Sequence, residues 1–389
     1  MNKKQQLQKM RDLERMLDAK DMEILLNLQK NPLATLSQIS QQINLSVSNT
    51  SARLKRLEQT KRIYQGVHAD LNTSALELEI YDFFFSVQQK QHLIYLEEKF
   101  SHRHPYVLFR NRITGKENGL FLQFRAPQST LELIIETVTI LQDKGIITDY
   151  QYLPREPKKK ALRVKSALQY WNPTKKTWDF DWTRWKESYE NAKSTPPPDR
   201  EISHSILKEL SDLDVKLLAE LSLDARKKNV EMIQDLGLKP VSGLAQKVSR
   251  RVRFLKEKAI EDYRVFLHWT SFDLYQSVAI KGNCKSAISN KIYNHLDVHN
   301  NEGERLQFPF MSLYYLMSDG FFWYVRAPPN HLSKFLDFVW GACPNFELYL
   351  FDYQTSQIYG LWAETFDSEN HSWKKDHAYM VERVLEDLI

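Results

Sequence analysis

The chain has 389 residues, a length that allows two to four domains. Its two cysteines are too few for a disulfide framework or a cysteine zinc site, so we expect a reducing, cytoplasmic setting and no metal centre. A net charge of +5 permits nucleic-acid binding without arguing for it, and no apolar run is long enough to predict a membrane span.

The first 70 residues predict a charged helix followed by a winged helix-turn-helix. The charged helix would cover residues 1–16, and the winged unit would cover residues 17–70. Asp18 is a candidate N-cap for the first helix, and Asn31-Pro32 would end that helix. Thr35 is a candidate N-cap for the second helix, and residues 44–46 form a tight turn before the third. Three short helices and a strand over residues 63–67 are typical of a winged helix-turn-helix.

Residues 76–155 predict an α+β domain of the ferredoxin-like type. Apolar segments with strand and helix periodicity follow one another in the order βαββαβ. The predicted strands cover residues 78–88, 106–114, 120–125 and 146–153, and the predicted helices cover residues 92–100 and 131–141.

One unusual string occurs twice and indicates a duplicated module. Residues 119–127 read Gly-Leu-Phe-Leu-Gln-Phe-Arg-Ala-Pro, and residues 320–328 read Gly-Phe-Phe-Trp-Tyr-Val-Arg-Ala-Pro. Gly237-Leu238 also falls on Asn44-Leu45 at the offset that aligns the first helices. We therefore predict two copies of the layout, the second with a divergent, basic winged helix-turn-helix over residues 206–262 and a ferredoxin-like domain over residues 263–354.

A tryptophan-rich tail follows each ferredoxin-like domain, over residues 156–205 and 355–389. Thr177-Trp178-Asp179 matches Thr365-Phe366-Asp367 at one offset, so the tails are expected to repeat too. Their tryptophans are expected to pack on the outer helices or between modules, with stacking on single-stranded bases as the alternative. Proline-rich residues 194–199 predict a stiff linker within the first tail. The basic run over residues 155–165 fits either a solvated tether or a strap that contacts DNA.

The first module resembles the leucine-responsive regulatory protein/AsnC family of transcription regulators. The family's opening pattern is present as Leu17, Asp18, Asp21, Ile24 and Leu25, and its recognition-helix pattern as Leu45, Ser46, Thr50, Arg53, Leu54, Leu57, Glu58, Lys61 and Ile63. Thr50 and Lys61 depart from the family's valine and glycine. The resemblance implies dimerisation and effector binding by the ferredoxin-like domain. It places a small-molecule effector, such as an amino acid, at Thr114, Gly115 and Asn118, with Asn118 replacing the family's aspartate.

The third helix of each winged unit supplies the candidate DNA-contacting residues. In the first unit, Val47, Thr50, Leu54 and Leu57 are expected to face inward, which leaves a polar and basic face: Ser46, Ser48, Asn49, Arg53 and Arg56. Hydroxyl and amide groups can reach base edges, while arginines hold phosphates. In the second unit the corresponding face is far more basic and is expected to bind phosphates: Lys239, Ser242, Lys247, Arg250, Arg251 and Arg253.

These patterns favour a sequence-specific, double-stranded-DNA-binding transcription regulator. Two fused modules would form a pseudo-dimer within one chain, which could also assemble into a homodimer of chains. We expect no enzyme activity, no cofactor and no membrane partner, and the fused layout suggests an archaeal protein. Two alternatives stay open. One is an enzyme like the sirohaem decarboxylases, which resemble this layout, and the other is an effector-binding or interaction protein whose helix-turn-helix units are vestigial.

Overall fold

The computed structural model describes residues 17–239, 241–297 and 306–388. The helix predicted over residues 1–16 lies outside them. The first winged unit has three helices: α1 (Ala19–Lys30), α2 (Leu36–Gln42) and α3 (Val47–Lys55), which continues through a π-helical turn at Arg56–Thr60. Asp18 and Thr35 form reciprocal capping boxes with the third residue of α1 and α2, so both predicted N-caps are confirmed.

A first βαββαβ unit follows the winged helices. The linking strand β1 (Tyr64–Leu71) precedes it. Its elements are β2 (Leu78–Ser86), α4 (Lys90–Tyr95, extended by turns to Arg103), β3 (Val107–Gly115), β4 (Gly119–Pro127), α5 (Leu131–Asp143) and β5 (Asp149–Leu153). This element order agrees with the pattern predicted from the periodicity of the apolar residues.

The first tail contains three short strands and a helix. They are β6 (Leu162–Val164), β7 (Trp171–Asn172), β8 (Thr177–Trp178) and α6 (Trp182–Glu190). Strands β7 and β8 pair as a small hairpin, with Trp171 opposite Trp178. Asp181 caps α6 by accepting a hydrogen bond from the Arg184 N–H.

The second winged unit repeats the turn geometry of the first. Its helices are α7 (Asp212–Leu223), α8 (Asn229–Asp235) and α9 (Leu244–Lys258), and α9 runs directly into β9 (Ile260–Leu267). The turns after α2 and α8 both use a left-handed residue, Asn44 with φ 53° and Gly237 with φ 59°. Asn and Gly are the residue types that tolerate this conformation, which explains why they align at the predicted offset.

A second βαββαβ order follows β9, and a second tail follows that. The elements are β10 (Gln276–Asn283), α10 (Ser286–Leu296), β11 (Ser312–Met317), β12 (Gly320–Ala327), α11 (Pro329–Ala342) and β13 (Phe346–Phe351), then β14 (Gln357–Ile358), β15 (Phe366–Asp367), β16 (Ser372–Trp373) and a helical turn at Ala378–Glu382. The domain boundary predicted between residues 262 and 263 falls inside β9, because β9 pairs with β1 rather than with the second sheet.

The two βαββαβ units share one sheet of ten strands. Nine strands lie in the order β5-β2-β4-β3-β13-β10-β12-β11-β6, and β14 also pairs with β3. The units join where β3 pairs with β13. There Thr114 lies opposite Leu350, and Ile113 lies opposite Phe351. The strand that follows each unit pairs with the other unit. β6, which follows the first unit, pairs with β11 of the second, and β14, which follows the second unit, pairs with β3 of the first.

Aromatic side chains fill the space between the two halves of this sheet. Phe121 and Phe322 occupy equivalent places in the repeated string, and their rings stack with centroids 5.8 Å apart and planes 8° apart. Phe84 stacks on Tyr349 at 4.1 Å. All four side chains are buried, and burying a large apolar side chain contributes about 1.5–3 kcal/mol. The half of the sheet that each unit contributes therefore covers the second face of the other half, and these halves are called the first and the second sheet below.

Each tail packs on the opposite unit. In the first tail, the Trp178 indole N–H donates to the Phe272 carbonyl at 2.7 Å, just before the second sheet begins. In the second tail, the Trp373 indole N–H donates to the Leu76 carbonyl at 2.6 Å, just before the first sheet begins. Trp178 therefore corresponds to Trp373. The predicted match of Trp178 with Phe366 is wrong by seven residues, because the hairpin rather than the Thr-x-Asp letters sets the alignment.

Candidate nucleic-acid interface

The exposed start of α3 carries most of the predicted base-reading groups. Ser46 caps the helix by accepting a hydrogen bond from the Asn49 N–H at 3.2 Å, and its side chain is exposed. Ser48 and Asn49 are exposed as well. Val47 was expected to face inward, but 47% of its surface is exposed, because it occupies the first turn of α3, ahead of the buried Thr50. The available face of α3 therefore mixes polar groups with one apolar side chain, which can contact a thymine methyl group.

The arginines of α3 are directed towards a buried carboxylate. Asp21 is fully buried and lies 3.0 Å from Arg53 Nη1, 2.9 Å from Arg56 Nη2 and 2.6 Å from Lys61 Nζ. A buried carboxylate needs such partners, because an unpaired charge inside a protein is very costly. The departure of Lys61 from the family's glycine thus has a structural reason.

Arg53 also pairs with a second acid, Asp18. Its Nη1 lies 2.7 Å from Asp18, and this hydrogen bond raises the pKa of Arg53. Burial alone would raise the pKa of the Asp18 carboxyl, but the bonds from Arg53 and from the Asp21 N–H, together with the charges of Arg53 and Arg56, lower it. The guanidinium of Arg53 therefore braces α1 against α3. Arg56 is more exposed than Arg53, with 43% of its side-chain surface accessible.

The longer helix α9 presents unpaired cations. Lys247, Arg250 and Arg253 are exposed, and within the described residues no acidic group pairs with any of them. Arg251 differs: its Nε lies 2.6 Å from the buried Asp214, and its Nη2 donates to the Glu209 carbonyl at 2.8 Å. Arg251 thus repeats the role of Arg53, and α9 keeps three exposed cations that have no acidic partner among the described residues.

Lys239 and Ser242 lie in the segment that leads into α9. Both are exposed. The residue before α9 is Gly243 with φ 80°, so a left-handed glycine rather than a side chain precedes the first free N–H groups of the helix. This segment therefore leaves polar groups and backbone donors at the exposed end of α9.

The two winged units are held together by strand pairing and by a side chain. β1 and β9 run antiparallel, with Tyr64 opposite Leu267 at one end and Leu71 opposite Ile260 at the other. Arg226 of the second unit donates to the Pro32 and Ala34 carbonyls of the first at 3.0 and 2.7 Å. Because β1 and β9 follow α3 and α9 closely, this ribbon fixes the two helices relative to each other.

The predicted effector loop lies at the junction of the two sheets. Thr114 and Gly115 pair with Leu350 and Tyr349 of β13, and a side chain on Gly115 would meet the Leu348 carbonyl at 2.4 Å. This close backbone approach explains the glycine without a ligand. Thr114 and Asn118 are exposed, so a small molecule can reach them.

Sequence reasoning did not find the acidic anchors. Asp21 and Asp214 decide which arginines are available, but Asp21 was recognised only as part of the family's opening pattern. A signal was present, because each aspartate stands in the first turn of its unit and an arginine follows at a similar distance in both copies, at Arg53 and Arg251.

Known proteins are similar to this chain either over one short segment or over nearly its whole length. Residues 17–63 match the winged helix-turn-helix DNA-binding family. This segment has the sequence and the fold of a winged helix-turn-helix. No curated protein sequence is significantly similar to the chain. In the described residues, no helix is long and apolar enough to cross a membrane.

Solved structures resemble the chain over different lengths. The sirohaem decarboxylase NirDL, in complex with an iron-uroporphyrin III analogue, aligns with 94% of this chain and 97% of its own at a TM-score of 0.50 and 12% identity. A transcriptional regulator from Neisseria meningitidis in complex with L-methionine covers 37% of this chain and 94% of its own, at a TM-score of 0.31 and 26% identity. An AsnC family regulator from Agrobacterium tumefaciens covers 40% of this chain and 99% of its own, at a TM-score of 0.31 and 18% identity.

The similarity to NirDL corrects one expectation. We expected that the chain would not be an enzyme, yet over almost its entire length it has a fold that an enzyme uses. At 12% identity the similarity concerns the fold alone, and the reaction of that enzyme does not transfer with it.

Proposed function

We propose that this chain is a DNA-binding transcription regulator whose two winged units read one asymmetric site. The observation that carries the proposal is the exposed, unpaired cation row of α9 (Lys247, Arg250 and Arg253) beside a matched winged helix-turn-helix whose α3 exposes Ser48 and Asn49. Helices of this type enter the major groove, where cations neutralise phosphates and small polar groups contact base edges.

The two helices would have different tasks. α3 offers amide and hydroxyl groups near its exposed start, and two of its arginines are bound to Asp21, so it suits base reading. α9 offers cations but few side chains that could discriminate between bases by hydrogen bonding. It therefore suits binding of the DNA phosphate backbone. A palindromic operator would not match two such unlike helices, which favours an asymmetric site.

The proposed arrangement is a pseudo-dimer formed by a duplicated module within one chain. Three observations support it: the stacking of the equivalent residues Phe121 and Phe322, the antiparallel ribbon of β1 and β9, and the crossed tails that donate from Trp178 and Trp373. A self-complementary contact between equivalent residues is what a two-fold axis produces. An effector site at Thr114, Gly115 and Asn118 stays a prediction.

The test is salt-dependent DNA binding by the full chain. Fluorescence anisotropy of a labelled duplex would be measured between 50 and 200 mM salt. We expect the triple change of Lys247, Arg250 and Arg253 to glutamine to reduce the slope of log affinity against log salt by about 2.7, since each phosphate contact contributes about 0.9. A matched control changes three exposed lysines remote in sequence from both helices, Lys90, Lys144 and Lys375, to glutamine.

Two results would decide against this function. Absence of duplex binding even at the lowest salt would exclude a DNA-binding role. An equal reduction of the slope in the control triple would show that net charge, rather than α9, produces the binding.

A second candidate, an enzyme acting on an iron tetrapyrrole, is favoured by the whole-chain similarity to NirDL. The central space between the sheets is filled by Phe84, Phe121, Phe322 and Tyr349, so such a substrate would have to occupy another surface. Titration of the chain with iron-uroporphyrin III, followed by visible absorbance, tests it. A saturable shift of the main absorption band supports this candidate, and an unchanged spectrum removes it.

A further inference from the structure

The only two cysteines of the chain lie side by side in the second βαββαβ unit, although they are distant in sequence. Cys284 is the first residue after β10, and Cys343 is the residue that ends α11. Neither belongs to a winged unit, so the proposed DNA contacts do not account for them. Two thiols that a fold brings together can be joined covalently, which gives them a chemistry of their own.

The backbone places the two side chains at the same end of a strand pair. β10 and β13 run antiparallel, and beyond their last paired residues the Asn283 N–H donates to the Asn345 carbonyl at 2.9 Å. The Cys343 sulfur lies 3.3 Å from that Asn345 oxygen and 3.7 Å from the Asn283 carbonyl oxygen, which belongs to the peptide group that leads into Cys284. The Cα atoms of paired antiparallel residues are about 4.5–5.5 Å apart, and a disulfide spans about 4.4–6.8 Å. The end of this strand pair therefore suits a disulfide between Cys284 and Cys343.

The two thiols differ in access and in acidity. Cys343 is fully buried, whereas Cys284 is partly exposed. The hydrogen bond between the two thiols, together with burial, raises the pKa of Cys284, and the same bond lowers the pKa of Cys343. Cys284 is therefore the sulfur that an oxidant in solution reaches, and Cys343 is the sulfur that loses its proton more readily.

We propose that Cys284 and Cys343 form a reversible oxidation site, at which a hydroperoxide joins the two sulfurs in a disulfide within the chain. An accessible sulfur beside a second, resolving sulfur is the arrangement that redox-sensing cysteines use. In reducing surroundings a disulfide of this kind is transient, because exchange with thiols removes it again.

The reaction balances with hydrogen peroxide as the oxidant. The Cys284 sulfur attacks one peroxide oxygen as the thiolate; an S–O bond forms, the O–O bond breaks, and the departing hydroxide takes a proton to become water. The Cys343 thiolate then attacks the sulfenic acid; the S–S bond forms, the S–O bond breaks, and a second water leaves. In sum the two thiols lose two protons and two electrons, and one peroxide becomes two waters.

The disulfide would join the start of α10 to the end of α11, the two helices that support the first tail. α6 of that tail packs on both: Glu190 pairs with Lys291 of α10 at 3.2 Å, and the ring of Trp185 lies 4.6 Å from the ring of Phe338 of α11. A bond here closes a long loop of the second unit and restricts the unfolded chain, which stabilises the folded state. The proposal does not depend on DNA binding.

Mass spectrometry of the full chain tests the site. The chain is reduced, freed of reductant and treated with a small excess of hydrogen peroxide at neutral pH. We expect the intact mass to fall by two hydrogen atoms, and we expect digestion without reductant to yield a cross-linked peptide that contains Cys284 and Cys343. Dithiothreitol should restore both thiols.

Two variants test the separate roles of the sulfurs. Cys343→Ser removes the resolving thiol, so the sulfenic acid of Cys284 should persist and react with dimedone. Cys284→Ser should stay unlabelled, because its remaining sulfur is buried. In urea, the oxidised chain should unfold at a higher concentration than the reduced chain, whereas peroxide should not change the midpoint of Cys284→Ser.

Three results would overturn the proposal. Two free thiols after peroxide treatment, or a disulfide that joins two different chains, would exclude the site. Equal dimedone labelling of the two variants would exclude the assigned roles. The mapping uses the unaltered chain, so a variant that fails to fold does not decide the result. DNA binding plays no part in these measurements, which keeps their failure separate from failure of the regulator function.

Discussion

Arg250 and Arg251 are neighbours in α9, and the structure predicts opposite consequences for their loss. Arg251 Nε lies 2.6 Å from Asp214, which is 1% exposed, so Arg251→Gln leaves a buried charge without its cation. Breaking a buried pair costs about 3–5 kcal/mol. Asp214 also accepts bonds from the Ser211 N–H and hydroxyl, so we expect the lower end, about 3 kcal/mol. Arg250 is exposed and unpaired among the described residues, so its change should alter stability by less than about 0.5 kcal/mol.

DNA binding should show the reverse order. Arg250→Gln should lower the slope of log affinity against log salt by about 0.9, the contribution of one phosphate contact. Stability is measured by urea unfolding, followed by the fluorescence of the nine tryptophans, and binding by anisotropy with a labelled duplex. If Arg251→Gln unfolds at the same urea concentration as the unaltered chain, the anchoring role is refuted. If Arg250→Gln keeps the full salt slope, its assignment to a phosphate contact is refuted.

Three further changes test the fold. Burial lowers the pKa of His104 from 6.5 to about 3, so the unfolded chain binds a proton at pH values at which the folded chain does not. The folded state keeps its full stability above pH 6.5 and loses stability as the pH falls below that value. Between pH 7 and 5 the free energy of unfolding should fall by about 2 kcal/mol, a loss that His104→Gln should not show, as measured by urea unfolding at each pH. Phe322→Ala should cost about 3–5 kcal/mol in the same assay, because Phe322 fills the space between the sheets. Trp373→Phe should cost about 1–3 kcal/mol, because the Leu76 carbonyl loses its donor.

Matched variants separate these causes from general damage. His204 is exposed, so His204→Gln should keep the full pH dependence, and equal pH dependence in His104→Gln would contradict the buried-histidine explanation. Phe322→Leu should cost less than Phe322→Ala, since it leaves a smaller cavity. Trp340 is 66% exposed, so Trp340→Phe should leave stability unchanged; a similar loss in both tryptophan variants would count against the role of the Leu76 bond.

Local sequence signals determined the elements well. Asp18 and Thr35 predicted helix starts because a capping side chain needs only its own first turn. Asn44 and Gly237 aligned because both occupy left-handed turns. The order βαββαβ followed from periodicity, which depends on the local pattern of burial.

Long-range contacts explain what the sequence did not reveal. Arg53 looked like a phosphate contact until its distance to Asp21, thirty-two residues earlier, was known. Periodicity says that the tryptophans are buried but not against which unit, so the crossing of the tails could not be predicted. The mistaken match of Trp178 with Phe366 arose because similar letters outweighed a hairpin that only the structure shows.

The crossed tails also set an order of events during synthesis. The outer side of the first sheet unit is closed by Met380, Val381, Val384 and Leu385, which are fully buried in its core. These residues leave the ribosome more than two hundred residues after β5, a delay of roughly 10 to 45 s at 5–20 residues per second. Until then the first unit displays an apolar helix surface, so the growing chain depends on residues 380–385, or on a chaperone, to protect this unit.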